Sequence, residues 1–204
     1  MKNRLALAFA IAGSLLLGGC GAADAPRAVA ATQTAPAAAT TKGPGKAAVA
    51  SSHRIATDAG LEVLAKGGNA FDAAVAVSST LSVVEPISSG LGGGGFFLLH
   101  DAASGRDVFV DARETAPASA TPAAFLDENG ELDRDRATNG PWSAGIPGLP
   151  AALVHVAREY GELPLSTTLA PAIRIAREGF PVYERLERGY ARRSQVMERY
   201  RGTR

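Results

Sequence analysis

Few residues in this chain combine the type and the setting that chemistry needs, and the best placed is Arg113. It stands in Asp111-Ala112-Arg113-Glu114-Thr115-Ala116-Pro117, just past a short apolar run that reads as a strand over 108–110. A planar guanidinium at a strand end suits two-pronged recognition of a carboxylate. The same side chain could instead form a structural ion pair with Asp111 or Glu114. The run Gly90-Leu91-Gly92-Gly93-Gly94-Gly95 satisfies the dinucleotide pattern G-x-G-x-x-G as a string. That pattern needs a preceding strand and a following helix, whose N-terminus meets the pyrophosphate. Here a helix precedes and a strand follows, so nucleotide binding is not expected. The glycines are expected to serve the backbone, by permitting positive φ and close approach of other segments. His53, His100 and His155 share no metal-ligand spacing, and Asp127-x-Asn129-Gly130 lacks the remaining positions of a calcium loop and reads as a turn. No metal and no cofactor is expected. Thr167-Thr168 reads as a cap or turn ahead of a helix, and the Arg-rich stretch from Arg185, interleaved with acids, as a solvated helix face.

The elements that must position Arg113 can be read from local signals. Apolar spacing predicts a helix over 54–66, ended by Gly67-Gly68. Asn69 then suits an N-cap, with Asp72 three residues on as the acid of a capping box. The next helix, 70–85, carries almost no charge and is apolar nearly all round, so it belongs in the core; Pro86 stops it. A glycine loop over 88–95 leads to short strands at 96–100 and 108–110, a β-hairpin expected to lie against the two helices. Asn129-Gly130 marks a turn within 125–132. Helices are expected over 150–160 and 169–178, and a charged helical stretch from 183 onward.

The start of the chain has another purpose. Lys2 and Arg4 precede thirteen uncharged, mostly apolar residues, Leu5 to Leu17, and then Gly18-Gly19-Cys20. This is the order of a secretory signal. Thirteen helical residues reach roughly 20 Å, short of a hydrocarbon core about 30 Å thick, so a permanent transmembrane helix is disfavoured. Leu17-Gly18-Gly19-Cys20 resembles a bacterial lipobox, and the chain's only Cys sits at its lipidation position. Residues 1–19 are therefore expected to be a lipoprotein signal, Cys20 a lipidation site, and 20–46, rich in Ala, Pro, Thr and Gly, a flexible tether. The protein is expected to be exported and lipid-anchored to a bacterial membrane on its extracytoplasmic face. The formal net charge is +1, becoming −1 once Lys2 and Arg4 are removed, which gives no electrostatic basis for nucleic-acid binding.

Several ordered motifs together carry a resemblance. Ala50-Ser51-Ser52-His53, Lys66-Gly67-Gly68-Asn69-Ala70-Phe71-Asp72-Ala73-Ala74-Val75-Ala76, Gly90-Leu91-Gly92-Gly93-Gly94-Gly95-Phe96 and the Arg113 run are followed by Gly145-Ile146-Pro147-Gly148 and Arg177-Glu178-Gly179-Phe180. This series resembles the γ-glutamyltransferase (γ-glutamyl transpeptidase) family over about residues 47–200. The resemblance implies an α+β N-terminal nucleophile hydrolase fold, an αββα sandwich, with only its N-terminal portion in this sequence. It implies an enzyme that transfers or hydrolyses the γ-glutamyl group of glutathione-like compounds, with amino acids or peptides as acceptors. The nucleophile would be the N-terminal Thr of a small subunit. That segment has no counterpart in 1–204, so the region 47–204 reads as the front of the large subunit, with no catalytic residue and no activity of its own. Of the family's substrate-binding residues, only the arginine that holds the α-carboxylate maps here, onto Arg113; Glu114 maps onto the adjacent acid, a possible support. A related cephalosporin or glutaryl acylase, and a non-catalytic lipoprotein that keeps the front of the fold, are the alternative readings.

Overall fold

A computed structural model describes residues 46–203; the signal segment, Cys20 and the tether up to residue 45 lie outside them. Helix α1 (Arg54–Ala65) begins where the His53 Nδ1 atom accepts a hydrogen bond from the Ile55 N–H at 3.2 Å. It ends in a Schellman motif: Gly67 takes φ +89°, its N–H donates to Leu64 O, and the Gly68 N–H donates to Val63 O. Helix α2 (Ala70–Val84) follows at once. Its capping box is complete, with Asn69 Oδ1 accepting from the Asp72 N–H and Asp72 Oδ2 accepting from the Asn69 N–H. Asp72 is fully buried, and its carboxylate also accepts from the N–H groups of Glu162 and Leu163, about ninety residues away. A local cap thus doubles as a tertiary tie.

Pro86 does more than stop α2. It opens a further turn of helix, α3 (Pro86–Ser89), because a first helical position needs no N–H. Strands β1 (Gly95–Asp101) and β2 (Arg106–Ala112) pair antiparallel from Gly95↔Ala112 to Asp101↔Arg106, around a turn in which Gly105 has φ +67°. Both run longer than their apolar stretches suggest, since backbone pairing continues into the polar ends. After a short helix α4 (Arg134–Thr138), the chain forms α5 (Leu149–Glu159), α6 (Leu165–Glu178) and α7 (Glu184–Arg199).

The expected hairpin is present, but its partners differ from the two helices expected. Phe97 and Leu99 of β1 and Val108 and Val110 of β2 pack on Val75 of α2 and on Leu149, Leu153 and Val156 of α5. Helix α1 instead packs on α2 and α6. Helix α6 starts four residues earlier than expected. Pro171 would suit the first turn of a helix begun at 169, yet it lies inside α6. Thr167 and Thr168 are therefore part of the helix and not a cap before it; the buried Thr168 hydroxyl donates to Leu165 O at 3.0 Å. Asp127 Oδ1 accepts from the Asn129 and Glu131 N–H groups, and Gly130 has φ +80°, so that segment is the turn expected. Helix α7 is docked at its start. The Tyr183 hydroxyl donates to Val84 O at 3.0 Å, and Arg185 reaches the buried Glu85 at 3.4 Å. Burial, and then the neighbouring Glu85, pushes the Tyr183 hydroxyl up to about 12, which keeps it a donor.

Candidate functional site

Arg113 follows the last residue of β2 and is held by its main chain. Its N–H donates to Asp111 Oδ1 at 3.0 Å. Two residues on, Thr115 and Ile146 exchange backbone hydrogen bonds of 3.3 and 2.8 Å, so the segment is pinned on both sides. The side chain is treated differently. Among the described residues the guanidinium makes no hydrogen bond, and its nearest acid is Glu114, 3.9 Å from Nε. The Arg113 side chain is 70% exposed, and that separation in water is worth little. Asp111, the other partner considered for an ion pair, is engaged by the backbone and not by the guanidinium. The planar fork is thus open to solvent above a pinned backbone, a state suited to a carboxylate ligand.

Four glycines surround this strand end. A methyl group on Gly94 would collide with the Ala112 carbonyl oxygen and lie 2.9 Å from Arg113 Cα. One on Gly148 would collide with the same oxygen and lie 2.9 Å from Arg113 O. A methyl group on Gly145 would lie 2.9 Å from Glu114 Cβ, and one on Gly93 3.2 Å from the Glu114 carboxylate. The Leu149 N–H donates to Gly93 O at 3.2 Å and ties the glycine loop to the start of α5. Close approach is therefore what Gly94, and more mildly Gly93, provide, whereas a side chain at Gly92 or Gly95 would meet open space. None of Gly90, Gly92, Gly93, Gly94 and Gly95 has positive φ, so that half of the expectation does not hold. The contribution of Gly145 and Gly148 was not assigned from the sequence. The signal available was a G-x-P-G run just ahead of a helix.

A shallow hollow of about 300 Å³ lies beside Arg113, walled by Val110, Ile146, Ala151 and His155 among others. A larger one, about 890 Å³, runs along α2 past Ala74, Val77 and Leu81 to Phe96; its lining includes Lys46 and no carboxylate or imidazole. The three histidines stay apart: His53 caps α1, His100 pairs across the hairpin with Asp107 at 2.8 Å, and His155 faces the small hollow. Among the described residues no three His, Cys, Asp or Glu side chains converge as a metal site would require.

Comparison with known proteins bears on this arrangement. Residues 56–204 match the family described as gamma-glutamyltranspeptidase. The glutathione hydrolase proenzyme of Bacillus subtilis (strain 168) is 43% identical over 136 residues, covering 66% of this chain but 23% of that protein. The chain therefore spans about a quarter of that relative's length. The crystal structure of Helicobacter pylori gamma-glutamyltranspeptidase superposes with a TM-score of 0.75 at 36% identity, over 79% of this chain and 46% of that one. A cephalosporin acylase from Bacillus halodurans superposes with a TM-score of 0.60 at 30% identity, over 77% of this chain and 32% of that one. The mixed helix-and-sheet arrangement is part of the N-terminal nucleophile hydrolase fold of these neighbours. With the ordered motifs, the matched region and the superposition in agreement, the chain belongs to the γ-glutamyltranspeptidase family.

Proposed function

We propose that residues 47–204 form the front part of an enzyme that transfers or hydrolyses the γ-glutamyl group of glutathione-like compounds. Arg113 holds the α-carboxylate of that group through two charge-assisted hydrogen bonds, and Glu114 helps to orient the guanidinium. The observation that carries this reading is the contrast at Arg113, whose backbone is pinned while its fork is exposed and unbonded among the described residues. Family membership supports the substrate class.

The bond-breaking step belongs, in this reading, to a Thr at the N-terminus of a small subunit, outside this sequence. The Thr α-amine takes the hydroxyl proton as the oxygen bonds to the γ-carbonyl carbon; the substrate's amide C–N bond breaks, and the leaving amine departs with that proton. The acyl-enzyme then passes to water or to an amino acid or peptide acceptor. The 204 residues thus supply recognition without a nucleophile. A cephalosporin or glutaryl acylase is the second reading, supported by the weaker superposition on the Bacillus halodurans enzyme.

The test compares the complete gene product with residues 1–204 alone, following p-nitroaniline release from a γ-glutamyl anilide and from the glutaryl anilide. The expected result is release from the γ-glutamyl compound by the complete product, and none by 1–204 above a boiled sample. Activity of 1–204, or an inert complete product, would overturn the reading; preference for the glutaryl compound would favour the acylase.

Export belongs to the same proposal. Cys20 carries a diacylglyceryl group that anchors the protein outside the cytoplasm, while the tether lets the folded part stand off. The support is the order of charge, apolar run and Leu17-Gly18-Gly19-Cys20. Cys20→Ser is expected to move the protein from the membrane pellet to the soluble fraction. Unchanged pelleting of non-aggregated protein would sink the idea.

A further inference from the structure

We propose that Gly94 and Gly148 are positioning residues for Arg113: their missing side chains let two backbone segments close on the end of β2 and set where the guanidinium stands. This inference rests on the reading of Arg113 given above.

The reason for glycine at the two positions is space and not conformation. Gly148 has φ −95° and ψ −28°, an ordinary helical geometry, and Gly94 is not among the positive-φ glycines. What a Cβ would meet there is main chain. At Gly94 it would crowd Ala112 O and lie 2.8 Å from Glu114 N and 2.9 Å from Arg113 Cα; at Gly148 it would crowd Ala112 O and lie 2.9 Å from Arg113 O. A side chain in the way can rotate aside, but a strand end can only shift. The two segments are also joined to each other, through the Leu149 N–H on Gly93 O at 3.2 Å, so neither can retreat without pulling on the other. The displacement must therefore be taken up by residues 112–114, which carry the guanidinium.

The neighbouring glycines are not equivalent, and this makes the inference specific. Gly93 would press on the Glu114 carboxylate, the far end of a flexible side chain, at 3.2 Å and on Gly90 O at 3.3 Å, both milder than the main-chain contacts under 3 Å at Gly94 and Gly148. Gly92, in the same loop, would meet nothing within 4 Å. A loop that was glycine-rich merely for flexibility would show no such gradation.

The experiment measures kcat/KM in the complete gene product for two anilides: γ-glutamyl p-nitroanilide, and 4-aminobutanoyl p-nitroanilide, the same chain without the α-carboxylate. The readout is their ratio. Gly94→Ala and Gly148→Ala are expected to lower it about 10- to 100-fold, the cost of moving a positioned group by about 1 Å. Gly92→Ala is expected to leave it within about twofold, as for other substitutions away from contacts. Gly93→Ala should cause a smaller drop, because the carboxylate can swing away and Gly90 O, at 3.3 Å, needs to yield only slightly; it decides the matter if the two harsher variants do not fold. Glycine variants that slow both substrates alike would make the glycines structural and overturn the inference. If Arg113→Ala collapses the ratio while the glycine variants leave it intact, positioning fails and the clamp stands. A ratio indifferent to Arg113→Ala would overturn the clamp itself.

Discussion

The backbone and the side chain of Arg113 sit in different environments, and this division suits a ligand-binding arginine. The main chain is bonded at Asp111 and bracketed by the Thr115–Ile146 bridge, so the backbone there has little freedom. The guanidinium faces water with only a 3.9 Å approach to Glu114. Removing it should therefore cost recognition and not stability. In the complete gene product, Arg113→Lys is expected to lower kcat/KM for a γ-glutamyl anilide by about one to three powers of ten, because lysine keeps the charge and loses the fork. Arg113→Ala should cost more. The thermal midpoint of both variants should stay close to that of the parent, since surface substitutions usually change stability by less than about 0.5 kcal/mol. A large fall in the midpoint, with activity lost on substrates with and without the α-carboxylate, would make Arg113 a structural ion pair instead.

At the scale of elements, the helices are held by caps and by a few ties between distant segments. Arg174 of α6 grips Glu62 of α1 with both guanidinium arms, at 2.7 and 3.3 Å, and Lys66 adds a third contact at 2.8 Å. These partners, Arg174 first, pull the Glu62 carboxyl down from 4.5 to about 2. A carboxyl depressed in the folded state adds stability above its unfolded value, and that stability is lost as pH falls through the folded one. Glu62→Gln is therefore expected to destabilise the protein near neutral pH, by about 1 kcal/mol or less because the pair is partly solvated. The difference should shrink as pH falls from about 4.5 and vanish only below about pH 2. Urea midpoints of parent and variant across that range check it; a constant difference would show that the ion pair is not the cause.

At the scale of the whole molecule, among the described residues the sheet is covered on one face only. The face away from α2 and α5 presents Phe96, Leu98 and Phe109; Leu98 is 78% exposed, and the two phenyl rings stack at 5.5 Å. On the helical side, the flank of α2 with Ala74, Val77 and Leu81 borders the 890 Å³ hollow. Apolar surface of this kind promotes association. Residues 47–204 expressed alone are expected to bind a hydrophobic dye such as ANS and to aggregate on warming. A monomer with a sharp, cooperative thermal transition and no dye binding would contradict this.

What the sequence determined by itself was whatever depends on neighbours in the chain. The end of α1 at Gly67-Gly68, the capping box of Asn69 and Asp72, the hairpin and the Asp127 turn all rest on residues a few positions apart, and each could be read before any contact was known. Arg113 stood out through its place after a strand and, decisively, through the resemblance. The tertiary structure decided which surfaces meet. It chose α5 over α1 as the second support of the hairpin, because β-strand alternation marks an inner face without naming what covers it. It brought Gly94 and Gly148 together on Ala112 and Arg113, although 54 positions separate the two glycines in the chain. It also separated the stem of Arg113 from its fork, since hydrogen bonds to Asp111 and across to Ile146 depend on how the backbone folds back. Local rules set caps, turns and periods; long-range closure set which groups are pinned and which are left open to a ligand.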